Sequence, residues 1–93
     1  MELRELRYFL AVAQEQNISK AAEKLYISQP SLSKQMQNLE REIGQKLFER
    51  GSKRITLTDA GMLLRKRARE MIDLYNKTEA ELSAPPADMS GVV

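Results

Sequence analysis

The 93-residue chain is 42% hydrophobic and 30% charged, with a net charge of +2. The charge is unevenly spread, since residues 50–69 hold seven basic residues and one acidic residue, whereas residues 1–49 hold seven basic and seven acidic residues. This composition is typical of one small globular domain, and no apolar run reaches the roughly 18 residues that a membrane span requires. The sequence has neither Cys nor His, which excludes disulfides, thiolate metal sites and His-dependent triads and leaves little support for an enzyme or a bound cofactor.

Two helices are predicted at the start of the chain. Apolar residues recur at helical spacing over residues 3–15, which predicts an amphipathic first helix. A short second helix is predicted from Lys20 to Leu25, with Ser19 as its N-cap because a serine hydroxyl can accept from a free amide of the first turn. The inward face of this second helix would hold Ile18, Ala22 and Leu25.

A third helix is predicted to follow a break at Tyr26 and Ile27. Ser28 would be its N-cap, and Pro30 is tolerated because the first turn has no intrahelical N–H bond to lose. The helix would end at Gly44, since glycine is the usual residue for a left-handed helix terminus. Its apolar stripe, predicted to lie in the core, consists of Leu32, Met36, Leu39 and Ile43. Its opposite face is polar and carries Pro30, Ser33, Lys34, Gln37 and Arg41.

A β-hairpin and a long helix are predicted in the second half. Residues 46–50 and 54–58 are predicted strands, with a turn at residues 51–53. Three cations would project from this narrow loop, namely Arg50, Lys53 and Arg54. Thr58 is the predicted N-cap of a last helix that runs from Asp59 to about Leu82.

The last helix carries a heptad pattern. Apolar and small residues alternate at spacings of four and three, which favours a seam for a second copy of the chain. The alternative is that this seam packs against the first helix of its own domain. The predicted dimer-interface residues are Leu64, Ala68, Met71, Tyr75, Thr78 and Leu82. Two prolines follow Ala84, so residues 84–93 are predicted to form a linker.

The predicted element order is that of a winged helix-turn-helix: a mainly α fold of three helices and a two-stranded wing, followed by a long helix. In such a unit the second helix of the motif enters the DNA major groove. Gln29 would read adenine through N6 and N7, the wing would enter the minor groove, and Ser19 with nearby amides would hold a phosphate. The expected DNA-contacting residues are Ser19, Ser28, Gln29, Pro30, Ser31, Ser33, Lys34, Gln37, Arg50, Lys53 and Arg54.

Structural interpretations of the same residues stay open. Gln29 and Ser33 could be solvated helix surface, and Pro30 could only rigidify the helix start. Arg50 could pair with Glu49 or with a helix carboxylate, while Lys53 and Arg54 could serve solubility alone. The basic run at residues 65–67 is more typical of a solvated helix face than of a DNA contact. A different function, a helical protein-interaction module without a DNA role, is favoured only by the heptad helix.

Five short motifs are spread along the chain at fixed spacings. They are AAEKL at residues 21–25, SQPSLSKQ at 28–35, LE at 39–40, GxxLFER at 44–50 and LTxAG at 57–61. Together they resemble the N-terminal domain of LysR-type transcriptional regulators, over about residues 3–82. Lys34 stands where many relatives have Arg, and Lys lacks the planar fork that Arg offers to guanine.

The resemblance implies a bacterial, cytoplasmic regulator that binds double-stranded DNA at a pseudo-palindromic operator. It also implies a homodimer, or a tetramer in a full-length protein, that pairs through an antiparallel linker helix. The expected organisation is a winged helix-turn-helix at residues 1–58, a linker and dimerisation helix at 59–83, and a hinge at 84–93. That hinge would lead to a C-terminal domain, absent from this sequence, that senses a small-molecule inducer.

Overall fold

Four helices and a β-hairpin follow one another in the computed structural model, which describes residues 1–84. The predicted mainly α fold with a two-stranded wing is confirmed. None of the helices in this part of the chain combines the length and apolar composition of a membrane span. The hinge predicted from residue 84 onward lies, apart from Ala84, outside the described residues. The elements are α1 (Leu3–Glu15), α2 (Ile18–Leu25), α3 (Gln29–Ile43), β1 (Phe48–Arg50), β2 (Ile55–Leu57) and α4 (Asp59–Leu82).

The start of α2 differs from the prediction. The helix begins at Ile18, and its N-cap is Asn17, whose side-chain oxygen accepts from the Lys20 amide at 2.9 Å. The predicted cap at Ser19 is therefore wrong, because Asn17 already occupies the extended backbone conformation before the helix and satisfies the amide that a cap would bind. Ser19 is instead the second residue of the helix, and its hydroxyl is left free for another partner.

Helix α3 has the predicted ends. The Ser28 hydroxyl oxygen accepts from the Ser31 amide at 3.2 Å, and Gly44 closes the helix at a left-handed φ of 80°. Leu32, Met36 and Leu39 are buried as predicted. The prediction that Ile43 lies in the core is wrong, since 37% of it stays exposed at the last turn of the helix, where the apolar stripe has passed the edge of the core.

The main core lies between the first three helices and the hairpin. Phe9, Leu32 and Leu39 are fully buried there, so each of α1 and α3 contributes its predicted apolar face. The ring of Phe9 lies 5.2 Å from that of Phe48, centroid to centroid, in a tilted contact that ties α1 to β1.

At the far end of α3, Glu42 accepts a hydrogen bond from the Met1 amino group and raises the pKa of that amine.

The hairpin is antiparallel but shorter than predicted, since its strands hold residues 48–50 and 55–57 and residues 46, 47, 54 and 58 lie outside them. Phe48 pairs with Leu57 and Arg50 with Ile55. The Leu47 amide donates instead to Glu40 Oε2 on α3 at 2.8 Å, and the Ile55 amide donates to the carbonyl of Gln16 at 3.0 Å. These bonds fix the hairpin against the helical body.

Helix α4 starts in close contact with the hairpin. The Thr58 hydroxyl caps it as predicted, accepting from the Gly61 amide at 3.0 Å while donating to the carbonyl of Lys46 at 2.6 Å. Further along α4, Ala68 and Ile72 pack against Leu6 of α1 in a second buried cluster. After Ile72 every residue of α4 is exposed, so the last ten residues of this helix extend past the core.

Candidate nucleic-acid interface

The turn between α2 and α3 sets the direction of α3. Tyr26 has a left-handed backbone with a φ of 59°, and its amide donates back to the carbonyls of Ala22 and Glu23. The Ile27 amide also donates to Ala22 at 3.1 Å, which completes the helix terminus. The first turn of α3 follows directly and lies at the surface. The Tyr26 side chain itself is 94% exposed.

The first turn of α3 presents small polar groups to solvent. Gln29, Pro30 and Ser31 are all exposed, as are Lys34 and Gln37 on the same side of the helix. The Ser28 hydroxyl donates to Ser31 Oγ at 2.9 Å, so two of the predicted contact residues are tied to each other. Among the predicted contacts on α3, Ser33 is the one that is half-buried. This helix therefore has one buried apolar side and one accessible polar side.

The first turns of α2 and α3 converge. Ser19 Oγ donates to Gln29 Oε1 at 2.8 Å, across ten residues of sequence. Both residues were predicted to contact DNA, but the hydrogen bond between them was not predicted. Since the hydroxyl approaches the oxygen end of the amide, the nitrogen end of Gln29 faces away from Ser19.

The wing lies beside these helix starts and forms two open grooves with them. One groove, of about 250 Å³, brings together five of the predicted contact residues. These are Ser19, Gln29, Arg50, Lys53 and Arg54. The second groove, of about 360 Å³, runs between α3 and the hairpin and is lined in part by Ser33, Gln37 and Arg50. Ser28, Pro30, Ser31 and Lys34 line neither groove but lie on the exposed side of α3.

The cations of the wing are available to a ligand. Within residues 1–84, the ion pairs use the amino terminus, Arg4, Lys24 and Arg67, and none uses Arg50, Lys53 or Arg54. The alternative that Arg50 pairs with Glu49 or with a helix carboxylate is thus not realised among the described residues. Gly51 closes the loop by donating its amide to the Arg54 carbonyl at 2.9 Å, so the three cations crowd around one tight turn. Such a local concentration of positive charge attracts a polyanion regardless of the small net charge.

The predicted seam on α4 divides into two parts. Ala68 is 0% exposed because it packs against Leu6 of α1, and Leu64 is half-buried against both core clusters. Assigning Ala68 to a dimer interface is therefore wrong, and Leu64 has little surface to offer. For this half of the seam the alternative holds, since it packs against the first helix of its own domain.

The rest of the seam is exposed and one further residue joins it. Met71, Tyr75 and Leu82 keep 36%, 42% and 71% of their surface exposed, and Thr78 is exposed between them. Leu74, which is not among the predicted interface residues, is 65% exposed and lies on the same flank of the helix. Leu74 could have been predicted from the sequence, because Met71, Leu74 and Tyr75 are apolar residues at positions i, i+3 and i+4 of a helix. A strict alternation of four and three residues goes from Met71 directly to Tyr75 and omits Leu74. We call Met71, Leu74, Tyr75, Thr78 and Leu82 the α4 stripe.

A helix-turn-helix whose second helix exposes its polar side beside a basic hairpin defines the winged helix-turn-helix class of DNA-binding domain. Residues 3–62 match the model of the family described as "Bacterial regulatory helix-turn-helix protein, lysR family". The chain therefore belongs to this family, and the resemblance found in its motifs is confirmed.

Curated relatives and solved structures agree with this assignment. The regulator BsdA of Bacillus subtilis is 40% identical over all of this chain, and BenM of Acinetobacter baylyi is 59% identical over 66% of it. The match spans only 32% of BsdA and 20% of BenM, so this chain corresponds to one part of such proteins. A crystal structure of the BenM DNA-binding domain with catB site 1 DNA superimposes with a TM-score of 0.85 at 45% identity, covering 88% of each chain. The CbnR DNA-binding domain complexed with DNA gives a TM-score of 0.82 at 41% identity, covering 86% of this chain and 92% of that one.

Proposed function

We propose that this domain binds double-stranded DNA sequence-specifically, as a homodimer, and belongs to a transcriptional regulator. The observation that carries the proposal is the accessible polar side of α3, which lies next to a groove lined by the unpaired cations of the wing. The relatives BsdA and BenM are transcriptional regulators, and the matching structures of the BenM and CbnR DNA-binding domains contain DNA. No catalytic residue is proposed.

Helix α3 is the element that enters the major groove. Its 15 residues span about 22 Å, and its diameter fits the roughly 12 Å width of that groove. Gln29 sits at the leading end, where helix-turn-helix proteins contact base edges. Lys34 and Gln37 follow on the exposed side within reach of base edges or phosphates, whereas the small Ser31 leaves room for close approach of the helix.

The wing supplies charge and a second groove contact. Arg50, Lys53 and Arg54 border the same groove as Gln29, so a duplex lying on α3 also meets the hairpin. A narrow basic loop suits the minor groove, where an inserted Arg is attracted by the enhanced negative potential. These contacts set affinity and register, while the sequence preference comes from α3.

The α4 stripe is the proposed dimer surface. It lies on the part of α4 that extends past the core, and burying its apolar side chains is favourable at about 25 cal/mol per Å² of area removed from water. A two-fold pair joined here presents two copies of α3. These would enter successive major grooves about 34–36 Å apart, or a multiple of that distance, on a pseudo-palindromic site.

The proposed organisation follows from this arrangement. Residues 1–58 form the DNA-binding unit, residues 59–83 the linker and dimerisation helix, and residues 84–93 the hinge toward a sensing domain. A small-molecule inducer would act only through that further domain, and tetramers would require it. The proposed site of action is the bacterial nucleoid, in the cytoplasm.

Selection of bound DNA from a random pool tests the proposal most directly. We expect enrichment of a two-fold symmetric motif, and binding to that motif that weakens steeply as salt rises, because phosphate contacts release counterions. Failure to bind any DNA at low salt would contradict the proposal and favour the protein-interaction module. Enrichment of a single, non-symmetric half-site would contradict the dimer while leaving DNA binding intact.

A further inference from the structure

Ser19 and Gln29 are joined where two helices begin. Ser19 is the second residue of α2 and Gln29 the first residue of α3, and the Ser19 hydroxyl donates to Gln29 Oε1 at 2.8 Å. Asn17 caps α2, so the Ser19 hydroxyl is not needed by the amides of its own helix. Within residues 1–84, Gln29 is the hydrogen-bond partner of the Ser19 hydroxyl.

We propose that Ser19 is a positioning residue for base recognition, because its hydroxyl fixes the order in which Gln29 presents its amide oxygen and nitrogen to the DNA. The inference rests on the proposed function, since it concerns how the same interface reads sequence. It differs from the earlier expectation that Ser19 holds a phosphate, as it assigns the hydroxyl to another side chain of the protein.

The order of the amide atoms matters because of the pattern on an A·T pair. In the major groove this pair displays the N7 acceptor and N6 donor of adenine, followed by the O4 acceptor of thymine. T·A displays the same sequence of acceptor, donor and acceptor, so an amide of either order fits both orientations. At the edge where A·T displays an acceptor and then a donor, one orientation of G·C displays the N4 donor of cytosine and then the O6 acceptor of guanine, and it fits only an amide of the opposite order. A freely rotating amide accepts both pairs, whereas an amide whose oxygen is held toward Ser19 offers one order and rejects that orientation of G·C.

The surroundings support this role. Both side chains border the groove that also holds the wing cations, so the duplex is brought against this pair rather than past it. The amide oxygen of Gln29 has two lone pairs, and Ser19 uses one of them, which leaves the other for the base. Fixing the rotamer before binding also lowers the entropy lost when the contact forms.

Three variants test the inference. Ser19→Ala removes the hydroxyl, and Ser19→Thr keeps it. Thr56→Val is a matched control, because it removes a hydroxyl from an exposed residue of β2. Ile55 lines the groove, and Thr56, the next residue of the strand, points to the other side of the hairpin. Gln29→Ala first identifies the base pair that Gln29 contacts, as the operator position whose preference it abolishes. Each protein is then titrated against operators that carry A·T, T·A, G·C or C·G at that position.

We expect Ser19→Ala to reduce the ratio of affinities for A·T and for the rejected orientation of G·C by about three- to tenfold, the worth of one intramolecular hydrogen bond. Ser19→Thr and Thr56→Val should keep the wild-type ratio. A phosphate contact or a structural role would lower affinity for all four operators equally, so an unchanged ratio in Ser19→Ala overturns the inference. If the wild-type chain binds no DNA, the proposed function itself fails, which is a different result from binding with an unaltered ratio.

Discussion

Gly61, in the first turn of α4, lies directly against the backbone carbonyl of Leu47 at the start of the wing. A β-carbon at this position would stand 2.2 Å from the Leu47 oxygen and 3.1 Å from a methyl group of Leu57. The contact partner is backbone, which cannot rotate away as a flexible side chain would. The wing and α4 can therefore approach this closely only because the residue is glycine.

We expect Gly61→Ala to lower the free energy of unfolding by about 1–3 kcal/mol, because overpacking forces the backbone to shift. Urea denaturation followed by circular dichroism measures this. The result is informative because alanine has the better intrinsic helix propensity, by about 1 kcal/mol. A more stable Gly61→Ala protein would mean that the propensity gain dominates and that the contact with Leu47 is looser than the structure shows.

Gln29→Ala should relax base preference more than it weakens binding. The side chain lies at the leading end of α3 and carries no charge, so its loss removes base contacts without changing the number of phosphates that the protein neutralises. We expect discrimination at one operator position to fall by about 1–3 kcal/mol, with the salt dependence unchanged. Binding-site selection with both proteins provides the comparison, and an identical selected motif would remove Gln29 from the set of base-reading residues.

Arg54→Ala should weaken binding to all sequences to a similar extent. Arg54 has no ion-pair partner within residues 1–84 and borders the groove beside α3, so it is free to contact a phosphate. Loss of one phosphate contact reduces the slope of log K against log salt by about one unit. Fluorescence anisotropy over a salt series measures the slope, and Lys77→Ala, on the exposed end of α4, is the control with the same charge change. Equal slopes for Arg54→Ala and the wild type would exclude the wing from the interface.

Leu74→Glu should abolish the dimer while leaving the fold intact. Leu74 is 65% exposed in the single chain, so a carboxylate there is solvated in the monomer but would be buried in the paired α4 stripe. Sedimentation velocity should show a dimer for the wild type and a monomer for the variant. Met62→Glu is the matched control, since Met62 is 52% exposed on another side of the same helix and should not alter the assembly. A dimer that survives Leu74→Glu would place the interface elsewhere.

Much of the fold was predictable because local chemistry determines it. Ser28, Gly44 and Thr58 end or begin helices through contacts within a few residues, and the structure places all three as predicted. The predicted N-cap of α2 was wrong by two residues, because Asn and Ser are both favoured at N-cap positions and local preference alone does not separate Asn17 from Ser19. The predicted strands were longer than the observed ones, and at Leu47 the backbone amide donates to Glu40, a partner from a different element that strand propensity does not reveal.

The amino-acid sequence alone determined the order of the elements, the amphipathic faces of α1 and α3, the basic loop and the family, since these depend on residue type and spacing along the chain. Tertiary structure alone decided which flank of α4 stays exposed, because the packing of α1 covers Ala68 and leaves Leu74 uncovered. It also decided that the Ser19 hydroxyl reaches Gln29. A helix repeats its faces every 3.6 residues, but only the neighbouring helix determines which of them meets solvent.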